Sequence, residues 1–184
     1  MPFKSVMSRL AALALFAASV TLGASQEALA QGASAPCILA KINPAQARYI
    51  AAAIVGEAAG EDETGQKLVG ETIINRFCSG RFGGSIREVV LAPYQFSAFN
   101  VDAPHALELR QLAEGRAVAD AGLNRSFERA LKIAGQLLAS EYVFLLPPDA
   151  CHYFAPKLVS PPYWAASGDL VFRHGGHDFF GGVR

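Results

Sequence analysis

The sequence predicts a mostly helical α+β domain with a small C-terminal β-hairpin. Three observations carry this. Apolar residues recur at helical spacing in five stretches between residues 44 and 140. After Pro147-Pro148 the composition turns aromatic and Pro-rich, and the helical period stops. "DLVFRHGGHDFF", residues 169–180, then alternates around Gly175-Gly176 as two short strands and a turn do.

The first helix opens in "NPAQARYIAAAIVGEAAG". Asn43 suits the cap, Pro44 the first helical position, and Gln46 a capping-box-like return bond. Ile50, Ala53, Ile54, Glu57 and Ala58 share one helical face, and Gly60 is the expected stop. "ETGQKLVGETIINRFC" gives a second helix, with Leu68, Val69, Thr72, Ile73 and Arg76 on its periodic positions. "SIREVVLA" gives a short third, with Ser85 and Glu88 at capping-box spacing. Pro93 ends it, and "YQFSAFN" follows as an aromatic-polar loop. "HALELRQLAEGRAVAD" and "SFERALKIAGQLLAS" read as two more amphipathic helices joined by "AGLN".

The chain has 184 residues, with Lys+Arg 16 and Asp+Glu 16. That balance offers nothing to attract nucleic acid or an anionic surface. Lys4 and Arg9 precede an apolar run from Leu10 to Gly23, and Ala28-Leu29-Ala30 follows as a small-x-small cleavage site. Residues 1–30 are therefore expected to be a secretory signal peptide, cleaved near Ala30. Residues 31–43 follow as a linker, and residues 44–184 as one domain. The expected location is periplasmic or secreted, with no stable membrane anchor after cleavage. Three cysteines remain in the exported chain, Cys37, Cys78 and Cys151. An oxidising compartment predicts one disulfide and one thiol, with the pairing open.

Glu57 stands where the apolar stripe of the first helix should continue. Burial there disfavours the charged form, and the helix C-terminus and the nearby Glu61, Asp62 and Glu63 push the same way. A carboxylic acid held protonated is what cleavage of a glycosidic bond requires, because the leaving oxygen must receive a proton. Sugar faces need flat apolar partners, and their hydroxyls need amides and hydroxyls. Tyr94, Gln95, Phe96 and Ser97 supply both in one loop. Tyr153, Tyr163 and Trp164 offer a second stacking wall, while Phe96, Phe99 and Phe154 are expected in the core. Glu71, between Gly70 and Thr72 in an otherwise apolar helix, is expected to be structural.

"GEAAGEDETGQKLVGETIINR", "YQFSAFN", "CHYFAPKLVSPPYW" and "GGHDFF", in this order, resemble the cell-wall hydrolase family typified by spore-cortex-lytic enzymes of the SleB type. The resemblance runs from about residue 48 to 180. It implies a lysozyme-like fold, cleavage of peptidoglycan glycan strands by a lytic transglycosylase or muramidase, and no cofactor. The family's catalytic acid is the first Glu of its Glu-Ala-x-Gly-Glu segment, which falls on Glu57. Its second Glu falls on Glu61, expected in the cleft as a substrate-binding or structural residue. The chain departs from the family pattern at Ala59, where members usually carry Arg, at Val55, where an aromatic residue is common, and at Glu71, where the family's second helix is normally apolar.

Two other readings compete. A metal-dependent peptidoglycan amidase or peptidase would use His152, His174 and His177, but His174-Gly-Gly-His177 lacks the fixed helical face of a HExxH pair. A non-catalytic peptidoglycan-binding protein would keep the body and lose turnover. No Gly-x-Ser-x-Gly nucleophile motif is present.

Overall fold

The computed structural model describes residues 41–183. The expected signal peptide, Cys37 and most of the linker lie outside the described residues. Five helices come first: α1 (Pro44–Ala58), α2 (Glu63–Ser79), α3 (Ile86–Leu91), α4 (Ala106–Ala113) and α5 (Ala121–Leu137). Three strands follow: β1 (His152–Phe154), β2 (Asp169–His174) and β3 (His177–Gly181). The architecture is the expected mostly helical α+β.

The first helix is more deeply placed than a one-faced stripe predicts. Tyr49, Ile50, Ala51, Ala52, Ala53, Ile54 and Val55 are consecutive and all buried. α1 is the central rod of the domain, packed by α2, α3, α4 and α5. Its alanines explain how: small side chains let four neighbours approach one axis without voids. Ile50 and Ile54 meet Ile73, Ile74 and Leu137 in the main core, where each fully buried aliphatic side chain contributes roughly 1.5–3 kcal/mol.

Helix starts follow the caps in the sequence. Asn43 accepts from the backbone N–H of Gln46 at 2.9 Å, and Asp62 from that of Gly65 at 2.8 Å. The Gln46 side chain does not turn back to Asn43. It donates to Lys41 O and accepts from the Ile86 N–H, which ties α1 to the start of α3. "AGLN" proves to be the first turn of α5, because Asp120 accepts from the N–H groups of Gly122 and Leu123 and starts the helix there. α4 ends at Ala113, just before Gly115, which holds a left-handed φ of 89°.

Glu71 is fully buried and bears out its structural reading. Its carboxylate accepts from the Tyr142 hydroxyl at 2.6 Å and from the backbone N–H groups of Leu145 and Leu146. It thereby ties the segment leading to the sheet onto α2. Burial pushes this carboxyl above its ordinary value, and those three donors pull it partly back.

The expected hairpin is β2–β3, and a third strand joins it. β1 pairs antiparallel with β3, Tyr153 opposite Phe179, giving the order β1-β3-β2. Strand alternation then divides the side chains. Tyr153 and Phe179 face Leu68, Leu146 and Ala150. Phe154 and Phe180 face the other way, covered by Trp164 and joined by Val183. Phe96, Phe99 and Phe154 are core residues, as expected. Cys78 is disulfide-bonded, and Cys151 is a free, buried thiol.

Candidate active site

α1 delivers Glu57 in its last turn, half-buried, with the buried run behind it holding the helix end in place. Three donors meet the carboxylate. Oε1 accepts from the backbone N–H of Ala98 at 2.9 Å and from the Ser97 hydroxyl at 3.2 Å. Oε2 accepts from the Tyr153 hydroxyl at 3.3 Å. The first two come from a 3₁₀ turn, Ser97–Phe99, in the aromatic-polar loop, and the third from β1. Residues far apart in sequence are therefore gathered on one carboxylate.

Gly56 makes the close approach possible. A Cβ at this position would overlap the Ala98 Cβ and press on Leu109. With hydrogen in its place, the 3₁₀ turn lies directly against the end of α1. Phe96 and Phe99, both buried, anchor the turn from either side.

Tyr153 is held as a donor. Its hydroxyl titrates well above the ordinary tyrosine range, first because of burial and next because of the adjacent Glu57 charge. A largely desolvated phenol beside a carboxylate keeps its proton and shares it in a hydrogen bond. The ring stands edge-on to His177 at 5.2 Å and beside Phe179 at 5.6 Å, which sets its orientation.

The acidic run after Glu57 finds its hydrogen-bond and ion-pair partners away from Glu57. Glu61 Oε1 accepts from the Gly176 N–H at 3.0 Å and lies 3.6 Å from His177 Nδ1. Asp62 caps α2 and meets His174 Nε2 at 2.8 Å. Those contacts lower the Asp62 carboxyl, the Gly65 N–H first and His174 next. Glu63 pairs with Lys67. The β2–β3 turn is thus clamped to the α1–α2 loop. Gly175, at φ +55°, is where the turn reaches Glu61, and a Cβ there would strike the carboxylate.

Of the other expected site residues, Tyr94 and Gln95 lie just before Phe96, which leads into the 3₁₀ turn, and both are exposed. Tyr94 holds a left-handed φ of 61°, an uncommon conformation for a bulky side chain. Tyr163 is exposed on a second 3₁₀ turn, while Trp164 packs against His152, Phe154 and Phe180. The three histidines do not converge. His174 and His177 face Asp62 and Glu61, and His152 lies between Phe82 and Trp164. Among the described residues no group of three His, Cys, Asp or Glu could hold a metal ion.

Sequence reasoning missed Gly56, the Ala98 N–H and Arg76. Arg76 had a visible signal, a cation on the periodic apolar positions of α2. It is buried, donates to Cys151 O at 2.7 Å and to Gln95 O at 3.4 Å, and stacks on Phe96.

The family model described as cell wall hydrolase matches residues 60–180, and the chain belongs to that family. The matched span opens just after Glu57, so the placement of Glu57 rests on the geometry above. The chain is similar to the catalytic domain of the germination-specific lytic transglycosylase SleB from Bacillus anthracis, at 21% identity and TM-score 0.46, over 74% of this chain and 93% of that one. It is also similar to the catalytic domain of the Bacillus cereus SleB protein, at 21% identity and TM-score 0.47, over 75% of this chain and 91% of that one. No curated protein matches the sequence.

Proposed function

We propose that this cell-wall hydrolase cleaves the glycan strand of peptidoglycan with Glu57 as its general acid. The observation that carries the reading is the three-donor cradle of Ala98 N–H, Ser97 and Tyr153 around one half-buried carboxylate. Protonated Glu57 gives its proton to the glycosidic oxygen as the C1–O bond breaks. The resulting carboxylate, held by the cradle, then accepts a proton from the hydroxyl that attacks C1. A positioned acid of this kind contributes typically ~10²–10⁴-fold in rate.

The attacking group is read as the 6-hydroxyl of the same muramic residue, which gives an anhydro sugar. A two-carboxylate mechanism needs partners roughly 5–9 Å apart. The nearby carboxylates are committed to other partners: Glu61 to Gly176 and His177, Asp62 to Gly65 and His174, and Glu71 to Tyr142, Leu145 and Leu146. A single acid that returns as base fits that set. Tyr94, Gln95, Tyr163 and Trp164 are assigned to the sugar faces and hydroxyls along the strand, and Glu61 to holding the loop that borders them. Peptidoglycan lies outside the cytoplasm, so the chain works after export, with its mature end near Gln31.

Digestion of purified peptidoglycan, read by fragment mass, tests this. Muropeptides one water lighter than their reducing counterparts are expected, with chelator making no difference. Free stem peptides with intact glycan strands would instead indicate an amidase or peptidase. No release at all would indicate a binding protein.

A further inference from the structure

Arg76 is the buried group that neither the fold nor the acid chemistry has yet explained. Its side chain is 5% exposed. Among the described residues it has no carboxylate within ion-pair distance. The nearest candidate in its own helix, Glu71, is taken up by Tyr142, Leu145 and Leu146. A buried cation without an ion pair is expensive, so the position has a use for the charge.

We propose that Arg76 is a positioning residue for the reaction, joining the two segments that donate to Glu57 and keeping a positive charge within electrostatic reach of that carboxylate. The inference rests on Glu57 being the acid.

The geometry is that of one planar group bridging two chain segments. Nε donates to Cys151 O at 2.7 Å, and two residues on, Tyr153 donates to Glu57 Oε2. Nη1 donates to Gln95 O at 3.4 Å, and two and three residues on, Ser97 and Ala98 donate to Oε1. Between these bonds the guanidinium lies over the Phe96 ring, 4.7 Å from its centroid, with Phe82 at 5.2 Å. A fork of fixed donors suits such a joint better than a flexible ammonium.

The charge is a separate matter. Burial works against it. Tyr153, Cys151 and Glu57 all lie within its field, but burial keeps the proton on Tyr153 and on Cys151, so of these only Glu57 supplies a negative charge that favours it. When Glu57 gives up its proton, negative charge appears where the Arg76 field already favours it, which is the arrangement that lowers a barrier without reorganisation. His152, from the same strand as Tyr153, also feels Arg76 and is kept neutral partly by it. A neutral donor could hold two carbonyls, but it could not do this.

Arg76→Gln and Arg76→Lys in the mature protein separate the two parts. Each is checked for fold by circular dichroism, then assayed on peptidoglycan for kcat, KM and pH–rate profile. Arg76→Gln should lose roughly a hundredfold in kcat, as displaced catalytic groups do, with little change in KM. Its profile should move to higher pH, because a charge favouring the carboxylate is gone. Arg76→Lys should keep the profile in place yet fall about tenfold in kcat, since one ammonium cannot reproduce the fork. A folded Arg76→Gln with parental kcat and profile, changed only in thermal stability, overturns the inference. If Arg76→Gln does not fold, Arg76→Lys decides, and parental kcat there overturns it. Glu57→Gln is run alongside. Cleavage surviving in that variant removes the reading beneath, whereas its loss together with parental Arg76 variants removes this inference alone.

Discussion

The backbone N–H of Ala98 donates to Glu57 Oε1 at 2.9 Å, and it reaches the carboxylate because residue 56 has no side chain. The end of a buried helix and a 3₁₀ turn are in contact at the acid itself. Packing there and chemistry there are therefore the same requirement.

Gly56→Ala tests that contact. Alanine favours the helix by about 1 kcal/mol, but overpacking against Ala98 and Leu109 costs ~1–3 kcal/mol. Overpacking outweighs the gain in helix propensity, so the melting temperature should fall. Activity should fall further, roughly a hundredfold, because the displaced turn carries two of the three donors. Thermal melts and peptidoglycan turbidity assays on one preparation check both, and parental activity in the variant contradicts the account.

Tyr153→Phe removes one donor and leaves the ring against His177 and Phe179. A hydrogen bond to a charged group is worth about 1.5–3 kcal/mol, so the rate should drop roughly tenfold to a hundredfold. Stability should change little. A variant that binds peptidoglycan less tightly but turns over at the parental kcat would place Tyr153 on the sugar instead.

Glu61→Ala should release the β2–β3 turn, because it removes the acceptor of the Gly176 N–H and the partner of His177. Hydrogen exchange in residues 174–178 should speed up. Glu61→Gln keeps an acceptor and should exchange nearly as slowly as the parent. Both should retain far more activity than Glu57→Gln. Loss as complete as that of Glu57→Gln would make Glu61 a second catalytic carboxylate.

His152 gives the stability a pH dependence of known sign. Burial, then Arg76 and Arg81, lower it from 6.5 to about 4. The unfolded chain therefore binds more protons between those values. The contribution is complete above pH 6.5 and is lost as pH falls through about 4. In His152→Phe the melting temperature should fall less steeply across that window than in the parent. Equal slopes would mean that His152 does not titrate with unfolding.

Much of the scaffold was legible because it is written in local chemistry. Asn43 and Ser85 cap helices with their own side chains, and Gly175-Gly176 marks the turn between alternating strands. Glu57 was legible as a carboxylate out of place. What surrounds it was not, because the donors come from residues 97, 98 and 153, and one of them is a backbone N–H with no sequence signature. β1 was hidden in an aromatic stretch that is too short for a strand period. The acidic run could not be resolved either, since its partners His174, Gly176 and His177 lie over a hundred residues away. α1 read as one-faced because alanine counts weakly in an apolar pattern, although here it is what allows burial on every side.

The most direct measurement is muropeptide release by Glu57→Gln. Glutamine keeps the shape, its oxygen can still accept from Ala98 and Ser97, and its NH2 can donate to the Tyr153 oxygen, but it has no proton of the required acidity to give. The account predicts a folded protein, by circular dichroism, that binds peptidoglycan and releases almost no fragments. Release at the parental rate by the folded variant would show that Glu57 only ends a helix and that the acid lies elsewhere.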